Sequence, residues 1–185
     1  MQREFLSNNN VAIGAIFKNE KSYILEWLAY HQCLGIDKFY IADNISSDGS
    51  SELLAALDSI GLIKRLPYPT QPNTPPQLGA YREILNNAKP DEWIAFIDAD
   101  EFLSPQDYED GLMSIKPLLD DPEVGAISIH WAVYGSSYSI LPSNGLVIER
   151  FTHRATEHHP VNTHYKSLVR VQAVIDTGPT PHAFT

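Results

Sequence analysis

The chain of 185 residues is long enough for one domain to bury most of a core, and 43% hydrophobic with 19% charged residues places it among globular rather than disordered sequences. A formal net charge of -10 argues against nucleic acid and anionic membrane surfaces as partners, because both reward clustered Lys and Arg. The N-terminus has no apolar signal core behind a basic start, no segment has the length of a membrane span, and the single cysteine, Cys33, excludes an internal disulfide, so a cytoplasmic location is the expectation.

"VAIGAIF" (11–17) is a continuous apolar run of the kind found in a buried parallel strand. "KSYILEWLAYHQCLG" follows with Ile24, Trp27, Leu28, His31 and Leu34 at helical spacing and Gly35 as a stop. Cys33 on this helix reads as a small buried hydrophobe. "KFYIAD" (38–43) is a second strand, and the turn residues "NISSDGS" lead into the helix "SELLAALDSIG", for which Ser50 is the expected cap. "LIKRL" is a short third strand, and the Pro-rich "YPTQPNTPP" a surface loop before the helix "QLGAYREILNNAK". "WIAFID" is the next strand. The alternation predicts an α/β fold with a mostly parallel sheet and helices on both faces, binding ligands beyond the carboxyl ends of its strands. Further on, "PQDYEDGLMSIKPLL" reads as helical, "VGAISIHWAVYG" as a long strand and "YKSLVRV" as another, while "GPTPHAFT" is expected to be irregular.

The stretch "WIAFIDADEFL" (93–103) sends three carboxylates, Asp98, Asp100 and Glu101, out of a buried strand with no Lys or Arg nearby in sequence. Desolvating like charges costs several kcal/mol each unless a cation compensates. Residues two apart in extended chain face the same side, so Asp98 and Asp100 can converge on a hard divalent ion such as Mg²⁺ or Mn²⁺. The simpler reading is a solvated turn. A calcium loop of the EF-hand type fails on Phe102 and Leu103, and a phosphatase of the haloacid dehalogenase class on the late position of the motif. There is neither a dinucleotide fingerprint nor a phosphate-cradling Gly loop.

Taken in order, "KNE", "EWLAYHQCLGI", "FYIADNISSDGS", "GAYR", "WIAFIDADEFL", "HWAVYGSSYS", "GLVIERF", "YKSLVRV" and "PHAF" resemble a GT-A glycosyltransferase, similar to family 2 and closest to the family 92 type. The resemblance spans residues 11–182 and implies a Rossmann-like three-layer α/β sandwich, with residues 1–185 as one catalytic domain that ends earlier than many GT-A domains. It implies that Lys18, Asn19, Glu20 and Asp43 hold the nucleoside, with Asp48 a weaker candidate, and that Asp98 lies near the ribose. It also implies a metal held by Asp98, Asp100 and His182. Arg82 either reaches a phosphate or pairs with Glu83 or Asp91. Trp27 and His31 match the family helix, yet on an apolar face they read more simply as core and a satisfied imidazole. The His-rich "HRATEHHPVNTH" has zinc-like spacings without Cys partners and is better read as an exposed loop that touches substrate.

The expected activity is metal-dependent transfer of a sugar from a nucleotide-sugar, with UDP as the expected nucleotide, to a hydroxyl acceptor with inversion, and Mn²⁺ or Mg²⁺ as the ion. Glu149 is the candidate base, with Glu101 or Glu157 as the other assignment. The rivals are a non-catalytic relative that binds nucleotide or glycan, and a phosphotransferase or phosphatase using Asp98 as nucleophile.

Overall fold

The computed structural model describes residues 11–71, 73–105, 111–141 and 144–185. The readings of the N-terminal ten residues and of the start of the helix after the carboxylate motif lie outside the described residues.

Strand β1 (Val11–Phe17) runs through the middle of the sheet, so both of its faces are covered and its apolar pattern is continuous. Its parallel neighbours are β2 (Phe39–Asp43) on one side and β4 (Trp93–Phe96) on the other, with β3 (Lys64–Pro67) outside β2. Two further strands, β5 (Ala126–His130) and β6 (Tyr165–Arg170), complete the order β3-β2-β1-β4-β6-β5. β6 is antiparallel to both neighbours, so its first residues lie at the edge where β4 ends. The reversal carries residues from late in the chain back to the carboxylate motif.

Helices α1 (Ile24–Cys33) and α2 (Ser50–Ser59) cover one face, where Trp27, Leu28, Leu54 and Leu57 pack against Ile13, Ala15, Phe17 and Ile41. Helix α3 (Pro76–Asn87) covers the other with Ala80, Tyr81 and Ile84 against Ala12, Tyr40, Ile94 and Phe96. The fold is therefore the expected three-layer α/β sandwich. A side chain at Gly14 would stand 2.9 Å from the Phe96 ring, so this glycine lets the Phe96 ring lie flat against β1. Trp27 meets Phe17 edge-on at 5.1 Å between ring centroids and is completely buried, a contact whose truncation costs about 3–5 kcal/mol.

Several local expectations change. Ser50 does not cap α2: the cap position is Gly49 at φ 92°, and the Ser50 amide donates to Asp48 Oδ1 at 2.9 Å, so Asp48 supplies the missing acceptor. Cys33 is exposed, because the apolar stripe of α1 falls on Ile24, Trp27, Leu28 and His31. The long strand predicted over 124–135 narrows to Ala126–His130, with Tyr134 bridging to Arg154 instead. Past the motif the chain forms a 3-10 turn (Gly111–Ile115) and a short α4 (Lys116–Asp120). A one-turn α5 (Val147–Arg150) arises in "GLVIERF". No described helix is long and apolar enough to cross a membrane.

Candidate active site

The strand order reverses around β1, which places a crevice between the loops leaving β1 and β4, where open α/β sheets bind ligands. Lys18 and Asn19 are exposed there and Glu20 is half-buried. Asn19 adopts φ 59°, a left-handed conformation that Asn tolerates, and this lets its amide donate to Ser46 Oγ at 2.9 Å while its Oδ1 accepts from the Ser47 amide at 3.0 Å. The Glu20 amide donates to Ser50 Oγ at 2.9 Å and the Lys21 amide to Asp48 Oδ2 at 3.1 Å. The loops after β1 and β2 are thus laced into one surface. Within it Ile45 sits at φ 45°, a strained conformation for a β-branched residue. Hydrogen bonds led by the Ser50 hydroxyl hold the Asp48 carboxyl below its usual range. Burial raises that of Glu20, and so do the charges of Asp100 and Asp48.

Asp43 ends β2 with no exposed surface. Its Oδ2 accepts from Arg65 through Nε at 2.8 Å and Nη2 at 2.7 Å, and its Oδ1 from Ser51 Oγ at 2.8 Å. These bonds make it a brace between β2, β3 and α2.

The cation that the sequence motif lacked is Lys166 of β6. Its Nζ lies 2.6 Å from Asp98 Oδ2 and 3.3 Å from Glu101 Oε2, and its side chain is 3% exposed. Gln77 Nε2 donates to Asp98 Oδ1 at 2.8 Å, and the Tyr81 hydroxyl lies 3.4 Å from the same oxygen. Glu101 Oε2 also accepts the Asp98 amide at 2.7 Å. Burial pushes the Glu101 carboxyl up, and the neighbouring Asp98 charge adds to that shift. Asp100 is exposed and is the member of the motif that faces solvent. Lys166 was invisible as a partner because it lies 68 residues from Asp98. The available signal was a lysine in step with Leu168 inside "YKSLVRV", where an apolar residue is expected.

Helix α1 fixes the chain just after the motif. Trp27 Nε1 donates to the Glu101 carbonyl at 2.8 Å and the Tyr30 hydroxyl to the Leu103 carbonyl at 2.9 Å. His31 Nδ1 lies 2.8 Å from the Trp27 carbonyl and therefore donates, which leaves Nε2 to accept the Leu103 amide at 3.2 Å. The imidazole is neutral and burial lowers its pKa to about 4. The satisfied imidazole read from the helix pattern is what the structure contains, with the added consequence that it steers the carboxylate loop.

The remaining candidates are dispersed. Arg82 pairs with neither Glu83 nor Asp91 but with Asp176, Nη2 to Oδ1 at 2.8 Å, and so fastens the C-terminal segment to α3. That segment is docked rather than loose: Thr177 bridges to Phe184, whose ring stacks on Phe96 at 4.8 Å. His182 stands beside Trp131 and Tyr165 with its carbonyl accepting from Ser167 Oγ at 2.7 Å, and its Nδ1 is buried without a hydrogen-bond partner among the described residues. Glu149 is exposed on α5, which is tied to α1 where the Ile148 amide donates to Glu26 Oε1 at 3.3 Å. Glu157 is exposed in the His-rich loop. Among the described residues no three His, Cys, Asp or Glu side chains form a cluster able to hold a metal ion. The expected trio of Asp98, Asp100 and His182 is not gathered into such a cluster: Asp98 is ion-paired with Lys166 with its side chain 37% exposed, and Asp100 is exposed.

The sequence profile of glycosyltransferase family 92 matches residues 10–179. A family 92 protein of Oryza sativa subsp. japonica is 29% identical over 174 residues, covering 90% of this chain and 28% of that protein. One from Arabidopsis thaliana is 28% identical over 173 residues, covering 88% and 29%. The chain thus spans less than a third of the length of these curated relatives. Among solved structures, residues 1–349 of S. aureus TarS superpose with a TM-score of 0.51 at 16% identity over 70% of this chain and 39% of that one, a likeness of fold alone. With the GT-A sheet order, the carboxylate motif at the end of β4 and a profile match along nearly the whole length, this chain belongs to glycosyltransferase family 92.

Proposed function

We propose that the chain transfers a sugar from a nucleotide-sugar to a hydroxyl acceptor at the edge formed by the loops after β1, β2 and β4. The observation that carries this reading is the carboxylate motif at the end of β4, with Asp100 exposed, beside the loop leaving β1 at the reversal of strand order, in a member of this family. Lys18 and Asn19 are exposed next to that crevice and would meet the nucleotide of the donor, for which UDP is the nucleotide to test. Asp98, held at both oxygens by Gln77 and Lys166, would accept from the ribose or sugar hydroxyls rather than attack phosphorus. Asp43 would act one layer behind, through Arg65 and Ser51, which shape the loop that faces the nucleoside.

Glu149 would take the proton of the incoming hydroxyl. Its carboxylate is solvent-exposed, whereas Glu101 has its Oε2 committed to Lys166 and the Asp98 amide. Attack on the face opposite the leaving diphosphate inverts the anomeric centre. Arg82 is fastened to Asp176 and would hold the C-terminal segment rather than a phosphate, whereas His182 is docked through its carbonyl and keeps its imidazole Nδ1 without a partner among the described residues.

Calorimetric titration with UDP, followed by UDP release from a panel of UDP-sugars with and without glycan acceptors, tests the proposal. Nucleotide binding with Glu149→Gln lowering transfer by about 10²-fold or more is the expected result, the usual scale for losing a general base. Failure of every nucleotide to bind overturns the donor site. Binding with no transfer to any acceptor favours the non-catalytic relative, and unchanged turnover in Glu149→Gln moves the base elsewhere.

A further inference from the structure

Asn144 is the one asparagine of the chain that precedes a glycine. In such a pair the backbone nitrogen of the glycine can attack the side-chain amide carbon of the asparagine, because no Cβ crowds its approach. Both residues are exposed in the bend that enters α5, and Gly145 adopts φ 112°, a region that residues with a side chain rarely enter. Neither the Asn144 side chain nor the Gly145 amide bonds to any described residue. Other asparagines are held. Asn19 Oδ1 accepts the Ser47 amide at 3.0 Å, and the amide that follows it, that of Glu20, donates to Ser50 Oγ. Asn87 Nδ2 donates to Glu83 Oε1 at 3.0 Å, with the following Ala88 amide bonded to the Leu85 carbonyl. Asn162 Nδ2 donates to the Thr156 carbonyl at 2.9 Å. Asp48, also followed by a glycine, has both carboxylate oxygens engaged by the Ser50 and Lys21 amides.

We propose that the exposed Asn144-Gly145 pair is a site of spontaneous deamidation that alters the chain where it enters α5. The Gly145 nitrogen forms a bond to Cγ of Asn144, the Cγ–Nδ2 bond breaks, and the departing amide nitrogen takes up the proton lost from Gly145 and leaves as ammonia. Water then opens the five-membered imide. Opening at one carbonyl gives an aspartyl residue at position 144, and opening at the other gives an isoaspartyl residue whose main chain runs through the former side chain. One water is consumed and one ammonia released, with no oxidant, metal or enzyme in the balance. Gly145 lies against α5: a Cβ placed on it would stand 3.7 Å from Arg150 Cγ and 3.9 Å from Glu149 Oε2. The new carboxylate therefore arises next to that contact, and Arg150, whose Nε is buried without a partner among the described residues, is a cation at hand to receive it. The isoaspartyl form also adds a methylene to the backbone ahead of Glu149. An effect on transfer rests on Glu149 being the base, whereas the modification itself does not.

The experiment incubates the folded chain at mildly acidic and at mildly alkaline pH, beside a short peptide of sequence "PSNGLV", and follows intact mass, peptide maps and enzymatic methyl labelling of isoaspartate. The expected result is a mass gain of about one dalton at position 144 together with an isoaspartyl label, faster at alkaline pH because the attacking nitrogen must lose its proton. The folded chain is expected to react within about 10-fold of the peptide rate, and Asn144→Gln, which must close a larger ring, at least about 10-fold more slowly than the parent. A folded chain slower than the peptide by more than that margin, or a mass gain that Asn144→Gln does not suppress, overturns the proposal. Transfer activity reads the consequence separately. Aged parent chain is expected to lose transfer in step with its modified fraction while aged Asn144→Gln keeps it, and equal loss in both overturns the effect on α5. Absence of transfer in the fresh chain sinks the proposed function and leaves the mass result standing.

Discussion

The two edges of the sheet each pair carboxylates with a lysine, one burying the carboxylate and the other the lysine, and use the pairing differently. At the amino edge Glu92, with no exposed surface, accepts from Lys38 Nζ at 2.6 Å, the Tyr40 hydroxyl at 2.7 Å and the Lys89 amide at 3.0 Å. Burial alone would raise its carboxyl, but these donors outweigh it and hold the group below its ordinary value. At the carboxyl edge one lysine serves two carboxylates, Glu101 is pushed up by burial, and Asp100 and Glu20 add negative charge beside them. A saturated cluster gives stability and nothing to bind. An edge whose acceptors outnumber its donors has chemistry left for a ligand.

Breaking the saturated edge should give the largest loss of stability. Glu92→Ala strands the Tyr40 hydroxyl and the Lys89 amide and should destabilise by about 3 kcal/mol in urea unfolding, while leaving nucleotide affinity unchanged. Lys38 is partly exposed and can turn to water, which keeps the cost at the lower end for a broken buried pair. A loss of nucleotide binding in this variant would break the separation of the two edges.

The second test concerns the clasp on the carboxyl-edge loop. His31 has a folded pKa of about 4 against an ordinary value near 6.5, so between these values the unfolded chain binds a proton that the folded one refuses. Stability should therefore fall as pH falls through this window, by about 3 kcal/mol in all. Glu20 and Glu101 are shifted upward and act in the opposite sense, contributing stability at low pH that is lost as pH rises through their folded values. The measurement is thus the difference between the pH profiles of the parent and His31→Gln. A difference profile flat between pH 4 and 6.5 would show that His31 is not the buried neutral clasp.

The smallest effect belongs to the exposed pair that ties the C-terminal segment to α3. Arg82→Ala should leave the midpoint of unfolding nearly unchanged and speed amide exchange at Asp176, Gly178 and Thr185, whose amides bond within that segment. Slow exchange at these amides in the variant would mean that the stacking of Phe184 on Phe96 holds the segment without help.

What the sequence determined by itself is what depends on neighbours a few residues apart. Continuous apolar runs marked β1, β2 and β4, helical spacing marked α1 and α3, and alternation of the two was enough to put Asp43 and Asp98 at one edge. The chemistry at that edge was decided by contacts between residues far apart in the chain. Lys166 reaches Asp98 across 68 residues because β6 runs antiparallel to β4, a direction no local pattern encodes. Arg65 reaches Asp43 because β3 pairs with β2, and Asp176 reaches Arg82 because the chain returns over α3. Periodicity records which face of an element is buried, whereas the partner of a buried charge is fixed only when the sheet closes, since strand order and direction determine which side chains share an edge.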